Sequence, residues 1–317
     1  MAIDLSSIPK EKQTYEMCLD SVQADPLQIR FVCEKYQTEE LCLSVVKKNG
    51  SLLEYIENQT PEICLAAIKE SDGQALRYVK EQTPEIRLAA VKQDGTALEF
   101  VKEQTPEICL AAVRQNGNAL RYVKKQTPEL CLEAVRWNGH ALKYVKEQTL
   151  AICLAAVRGS SNALKFVRDQ TPEICLAAVE GYGDALAYVK EQTPEICLAA
   201  VRENGGALEY VREQTPEICL AAVMRNGYAI VEVQKQTPEL RLAAVKQDGL
   251  ALQFIPKKGQ TLAIAIAALK QNPKSRKYLA DSFRTPKVYK AAGYDYKPED
   301  LAPSRSKTKR ERTEPRH

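Results

Sequence analysis

Residues 191 to 227 read EQTPEICLAAVRENGGALEYVREQTPEICLAAVMRNG, and the decapeptide QTPEICLAAV occurs in them twice, at Gln192 and at Gln214. Self-similarity at a fixed interval is the signature of a repeat architecture, so the interval decides the fold before any single residue does. Gln-Thr pairs recur at Gln13, Gln37, Gln59, Gln82, Gln104, Gln126, Gln148, Gln170, Gln192, Gln214, Gln236 and Gln260. The steps are 24, 22 and 23 residues, then seven of 22, then 24, so residues 13–283 form one array of twelve repeats. Positions are numbered from the Gln of each repeat.

Each repeat reads as two short helices of about ten residues. Thr at position 2 is an N-cap, Pro at position 3 fits the first helical turn where its missing N–H costs nothing, and Glu at position 4 suits the positive helix end. The run Ile-Cys-Leu-Ala-Ala-Val then makes a helix that is apolar nearly all round. Asn-Gly or Asp-Gly at positions 13 and 14 is expected to close it with a left-handed glycine. A second helix carries apolar residues at positions 16, 17, 19 and 20, a one-sided pattern that must pack on something. Neither helix is long enough to be stable alone, so successive repeats must cover each other's apolar faces. The pattern predicts an all-α fold, an α-solenoid of about twelve 22-residue two-helix repeats, with the alanines at positions 8 and 9 letting helices approach closely.

The ends read as caps. Residues 1–12 are a lead-in, and the position-14 glycine gives way to Pro26 in the first repeat and Pro273 in the last. Residues 284–302 are expected to fold back on the last repeat. Residues 303–317, APSRSKTKRERTEPRH from Ala302, have the composition of a disordered basic tail. The start, MAIDLSSIPKEKQ, lacks the charged and apolar regions of a secretory leader, and no apolar run approaches the length of a membrane span. The expected location is the cytoplasm.

The formal net charge is +4, from 45 basic and 41 acidic residues. Residues 303–317 hold six Lys or Arg against two acids, so the tail carries the whole excess and the array sums to zero. An electroneutral array is a poor track for a phosphate backbone. Basic rows do exist, with Lys or Arg at position 11 in nine repeats, among them Lys92, Arg114, Arg136, Arg158 and Arg202. They are read as solvated faces.

Nine of the ten cysteines, Cys18, Cys42, Cys64, Cys109, Cys131, Cys153, Cys175, Cys197 and Cys219, share position 6. Equivalent atoms of neighbouring helices lie roughly 9–10 Å apart, beyond the reach of about 7 Å between disulfide-linked Cα atoms. There is no C-x-x-C, and the two histidines are His140 and His317, so no zinc-ligand spacing is available. Arg87, Arg241 and Ala265 fill position 6 elsewhere. The expectation is small apolar packing at a partly accessible edge in a reducing compartment, with no metal and no cofactor.

Position 19 is aromatic in eleven repeats, from Phe31 and Tyr55 to Phe254 and Tyr278. A base-stacking platform would use such a ladder, but the interchange of Tyr with Phe beside Leu and Val at helical spacing favours a wedge between repeats. Catalytic chemistry finds no purchase: Cys131 and His140 are the one Cys–His pair close in sequence, and a turn separates them. No phosphate-cradling glycine loop occurs.

Variation collects at positions 12 and 15, either side of the Asn-Gly turn. The pairs include Trp137 with His140 and Arg225 with Tyr228, and Tyr182 replaces the turn Asn of the eighth repeat. The alphabet at these positions is too mixed for a base-per-repeat code. Large side chains on a turn ridge suit protein anchoring, so Trp137, His140, Tyr182, Arg225 and Tyr228 are the candidate partner-binding residues. Two repeats break pattern more deeply: the seventh has Leu150-Ala151 for Pro-Glu and Ser160-Ser161 for Asn-Gly, and the tenth has Met224 at position 11 and Glu232 at position 19.

The segment TPEICLAAVRQNGNALRYV, Thr105 to Val123, resembles the helical repeats of domain of unknown function 4116. That resemblance implies an all-helical repeat fold and an interaction role, and it brings no catalytic residue. It associates the repeat with proteins of intracellular bacteria, giant viruses and protists, some regarded as translocated effectors. The combined expectation is a monomeric, non-enzymatic scaffold for an unknown protein partner, without membrane attachment. The competing reading is a nucleic-acid binder acting through the basic tail and the Lys/Arg rows.

Overall fold

The computed structural model describes residues 4–294, so the tail 303–317 and the end of the 284–302 segment lie outside the described residues. Among the described residues there are α-helices and 3-10 helices and no strand. The chain divides into two compact units, residues 1–169 and 170–317. The first holds repeats 1–7 and the second repeats 8–12. Within each unit the α-helix of one repeat packs on that of the next and the 3-10 helices stack likewise, the local neighbour-on-neighbour pattern of an α-solenoid.

Repeat 5 illustrates the local logic. Thr105 Oγ1 accepts the Ile108 N–H, and Pro106–Gln115 is a ten-residue α-helix. Ile108, Cys109, Ala112 and Val113 are buried, while Leu110 and Ala111 are half-buried. Asn116 is in extended backbone: its N–H ends the α-helix on Ala112 O at 2.9 Å, and its side chain caps the next element by accepting the Asn118 N–H. Gly117–Tyr122 is then a 3-10 helix of six residues, with Ala119 and Leu120 buried.

Two sequence expectations are corrected here. The second helix is a 3-10 helix of six residues in most repeats, shorter than the ten expected, because the Gln of position 1 ends it. Gln104 Nε2 donates to Tyr122 O at 2.8 Å and Gln104 Oε1 accepts the Lys124 N–H at 3.0 Å. These are the backbone groups a longer helix would need. The glycine at position 14 is not left-handed either: positive φ occurs among the described glycines only at Gly73 and Gly293. A Cβ at Gly117 would sit 2.7 Å from Ala134 O of the following repeat, and at Gly95 2.3 Å from Ala112 O. The residue is small because the next repeat's backbone passes there. Gly73, with left-handed Asp72 before it, belongs to the repeat that is one residue longer.

The ends are closed by non-repeat elements. Leu5 is buried and its N–H donates to Gln28 of repeat 1. Helix Pro286–Ala291 places Val288 and Tyr289 against Ile264, Ala265 and Leu269 of the last repeat.

Candidate functional site

What the repeated residues do decides what is left for a partner. The Gln at position 1 is the knot of each repeat. Gln126 Nε2 donates to Leu120 O of the preceding repeat at 3.2 Å and to Tyr144 O of its own at 2.9 Å, while Oε1 accepts from Lys146 N at 2.9 Å and faces Cys131 Sγ at 3.7 Å. In every repeat but the eleventh the position-19 carbonyl and a position-21 amide are held this way. In the eleventh, Pro256 has no N–H to offer, and Arg241 Nε takes the Gln236 oxygen instead.

The nine ladder cysteines are buried throughout, a correction to the partly accessible edge expected of them. Burial pushes their thiols up, in Cys42 from the usual 9.0 to about 11, so they stay protonated, and eight of them donate weakly to the glutamine of their repeat. Where Arg87 takes the position, its guanidinium is buried and donates to Glu103 O at 2.8 Å and to the Glu103 carboxylate at 3.2 Å.

Two basic rows are committed to the fold, while the position-11 row, Lys92, Arg136 and Arg202 among it, stays exposed as the sequence suggested. At position 21, Lys102 Nζ donates to Lys80 O, Lys124 Nζ to Lys102 O and Lys146 Nζ to Lys124 O, at 2.9–3.2 Å. Arg212 does the same to Lys190 O in the second unit. At position 18, Arg121, Lys143 and Lys165 lie over the rings of Tyr122, Tyr144 and Phe166, 4.3 to 5.0 Å from their centroids. The position-19 rings are half-buried apart from the more exposed Tyr55 and Tyr188, and cations cover several of their faces.

The five candidate residues divide between the two units. Trp137 and His140 belong to repeat 6, Tyr182 to repeat 8, and Arg225 and Tyr228 to repeat 10. Trp137 is 65% exposed and Tyr182 40% exposed. His140 and Tyr228 are not free turn residues. They are half-buried, and each lies edge-on to the position-19 ring of the next repeat: His140 to Phe166 at 5.6 Å, Tyr228 to Phe254 at 5.4 Å. Arg225 is exposed, yet its Nε donates to Arg202 O and Glu203 O at 3.0 and 3.1 Å, capping the preceding helix. Cys131 and His140 have separate partners, Gln126 and Phe166.

Grooves recur between successive α-helices. One of about 750 Å³ in the first unit lies between repeats 5 and 6, with Leu110 and Leu130 among its apolar lining and Arg114, Lys125 and Glu133 among its charged groups. Glu133 bonds Arg114 at 2.7 Å, and that contact chiefly holds its carboxyl below the usual range. Trp137 stands one helical turn beyond Glu133 on the same helix. A second groove, of about 660 Å³, lies between repeats 10 and 11, lined by Pro216, Leu220, Gln234, Lys235, Glu239 and Leu240. A smaller one of about 220 Å³ repeats the pattern between repeats 9 and 10.

The groove beside repeat 10 has what the others lack. Leu220 is 41% exposed and Met224, one turn further along the same helix, is 64% exposed. The sequence flagged Met224 as a break in a basic row without making it a site residue. Its signal was present: a long apolar side chain where nine repeats carry Lys or Arg. Leu220 carried no signal, because position 7 is apolar in every repeat and its exposure depends on the neighbouring repeat.

Among the described residues no three metal-binding side chains come together, and no helix is long and apolar enough to cross a membrane. The fold and this surface define a helical repeat protein of the α-solenoid class. The family described as Domain of unknown function (DUF4116) matches residues 38–83, 83–127, 105–150 and 237–284. Those segments cover just over half of the chain, which belongs to that family. No curated protein and no solved structure matches it.

Proposed function

We propose that this chain is a non-enzymatic scaffold that binds another protein, with Leu220 and Met224 beside the groove of repeat 10 as the principal anchors and Trp137 as the anchor of the first unit. The observation that carries this reading is the exposure of two large apolar side chains on one helix, Leu220 lining an open groove and Met224 one turn further along. Large exposed apolar groups at a pocket are the usual centres of binding energy. Residues common to all repeats are consumed in stacking, so recognition falls to those that differ. Tyr182 extends the same logic to repeat 8, while His140 and Tyr228 are spent on rings of the next repeat and Arg225 on carbonyls of the preceding helix. The setting that suits ten free thiols is a reducing one.

The competing nucleic-acid reading loses support from the fate of two rows of cations, since those at position 21 hold carbonyls and those at position 18 cover rings, which leaves it the exposed position-11 row and the tail. Met224→Lys restores the repeat's own pattern and tests the proposal. The variant should keep its stability and lose partner binding by about 2 kcal/mol, measured by titration calorimetry against a partner captured by the unaltered chain. Undiminished affinity in Met224→Lys and Trp137→Ala, with steep salt dependence that disappears on removing residues 303–317, would instead favour nucleic acid.

A further inference from the structure

We propose that Cys18 and Cys33 are an oxidative modification site, forming a disulfide within the first repeat when the protein meets hydrogen peroxide. The geometry comes from the knot described above. The carboxamide oxygen at position 1 collects the position-6 thiol and the position-21 amide, as Gln104 does from Cys109 at 3.8 Å and Lys124 at 3.0 Å. In repeat 1 both of these donors are cysteines. Cys18 Sγ lies 3.6 Å and Cys33 N 2.9 Å from Gln13 Oε1. Sulfur and nitrogen are therefore no farther apart than those two contacts laid end to end, and the Cys33 thiol lies close enough to raise that of Cys18 in addition to burial. The Cβ of Cys33 is two bonds from that nitrogen, so both cysteines converge on one carboxamide oxygen, and closing the bond requires their side chains to turn towards each other. Elsewhere position 21 holds Glu57, Lys102, Arg168, Gln234 or Pro256, among others, and never a second cysteine. The distance that separates neighbouring rungs does not apply, because both residues belong to one repeat.

Exposure orders the chemistry. Cys18 is fully buried, and burial, with Cys33 adding to it, pushes its thiol up; Cys33 is half-buried and meets the oxidant first. The peroxide O–O bond breaks as Cys33 sulfur takes one oxygen to become the sulfenic acid, and one water leaves. Cys18 sulfur then attacks Cys33 sulfur, the S–O bond breaks, and the departing hydroxide takes the Cys18 proton as a second water. Two thiols lose two electrons and two hydrogens, and the peroxide is reduced to two waters. The bond joins helix Tyr15–Ala24 to the loop after the 3-10 helix Pro26–Phe31. The clasp makes the closure of repeat 1 depend on redox state.

The test uses the full chain treated with one equivalent of hydrogen peroxide, blocked with N-ethylmaleimide after unfolding, and digested with trypsin. Mass spectrometry should find residues 13–30 joined to residues 31–35 with the loss of two hydrogens, and the other eight cysteines alkylated. Hydrogen exchange across residues 15–31 should slow by about tenfold or more on oxidation, and Cys33→Ser should abolish that slowing while leaving the reduced protein unchanged. Cys33 arrested as a sulfinic acid with Cys18 still alkylated would overturn the proposal. A Cys33–Cys33 bond between two chains, or oxidation spread over the ladder cysteines, would do so equally.

Discussion

Gln126 donates through Nε2 to the carbonyl of Tyr144, 2.9 Å away and eighteen residues along the chain, and so fixes where the second helix of repeat 6 stops. The same Nε2 also reaches Leu120 O of the repeat before, and Oε1 accepts from Lys146 N of its own. Removing the carboxamide leaves the Tyr144 carbonyl and the Lys146 amide without partners, while Leu120 O keeps the Val123 N–H. Gln126→Ala should destabilise by about 2–4 kcal/mol, and Gln126→Glu should do at least as badly, since a carboxylate turns an oxygen towards two carbonyls. Denaturant unfolding, with hydrogen exchange at Lys146 to locate the loss, checks both. An exchange rate at Lys146 unchanged in Gln126→Ala would contradict this role.

Position-14 glycines differ from helical ones in what surrounds them. Gly117→Ala puts its Cβ against Ala134 O at 2.7 Å and should cost about 1–3 kcal/mol, the range for overpacking. Gly159 ends the α-helix of repeat 7 with nothing within 4 Å of a built Cβ. Gly159→Ala should be neutral or stabilise by up to about 1 kcal/mol. Thermal melts of the two variants should move in opposite directions or, at the least, by clearly unequal amounts.

Two serines occupy alanine positions in the terminal repeats. Ser21 stands at position 9 and Ser275 at position 16; both are fully buried and neither hydroxyl has a hydrogen-bond partner. Replacing each by alanine removes an unsatisfied polar group while keeping the backbone's fit, so Ser21→Ala and Ser275→Ala should each stabilise by about 1 kcal/mol. Chemical denaturation reads this directly, and a loss of stability in both would mean that the hydroxyls are satisfied in solution.

The thiol ladder makes stability depend on alkaline pH. Burial raises the Cys42 thiol from 9.0 to about 11, so the folded chain holds a proton that the unfolded chain has released. The unfolded state then binds fewer protons, and stability falls as pH rises from about 9 to 11. At full titration the contribution of Cys42 is about 2–3 kcal/mol. Cys42→Ala should flatten the slope of unfolding free energy against pH in that window relative to the unaltered protein, with no change in slope below pH 8. An identical slope in the two proteins would remove Cys42 as the cause.

The sequence by itself determined the period, the helical class, the helix N-caps and which apolar residues share a face. These depend on interactions within about ten residues: Thr105 caps its own helix, Pro106 fits the first turn, and Ile108, Cys109, Ala112 and Val113 share one face because of the helical period. Sequence also marked repeat 10 as irregular, since an exception stands out against eleven near-copies. Tertiary structure alone decided what the near-invariant residues are for. Gln126 was a marker of spacing until Tyr144 and Lys146 were placed around it, and Gly117 suggested a left-handed turn until Ala134 of the next repeat was seen to fill the space of its side chain. His140 and Tyr228 looked exposed because their partners, Phe166 and Phe254, lie 26 residues away in the next repeat. The exposure of Leu220 is decided in the same way, by the groove that the next repeat leaves open. The physical reason is common to all four: propensity and capping act along the chain, whereas close approach, burial and the satisfaction of a backbone group are set by whichever repeat comes to lie alongside.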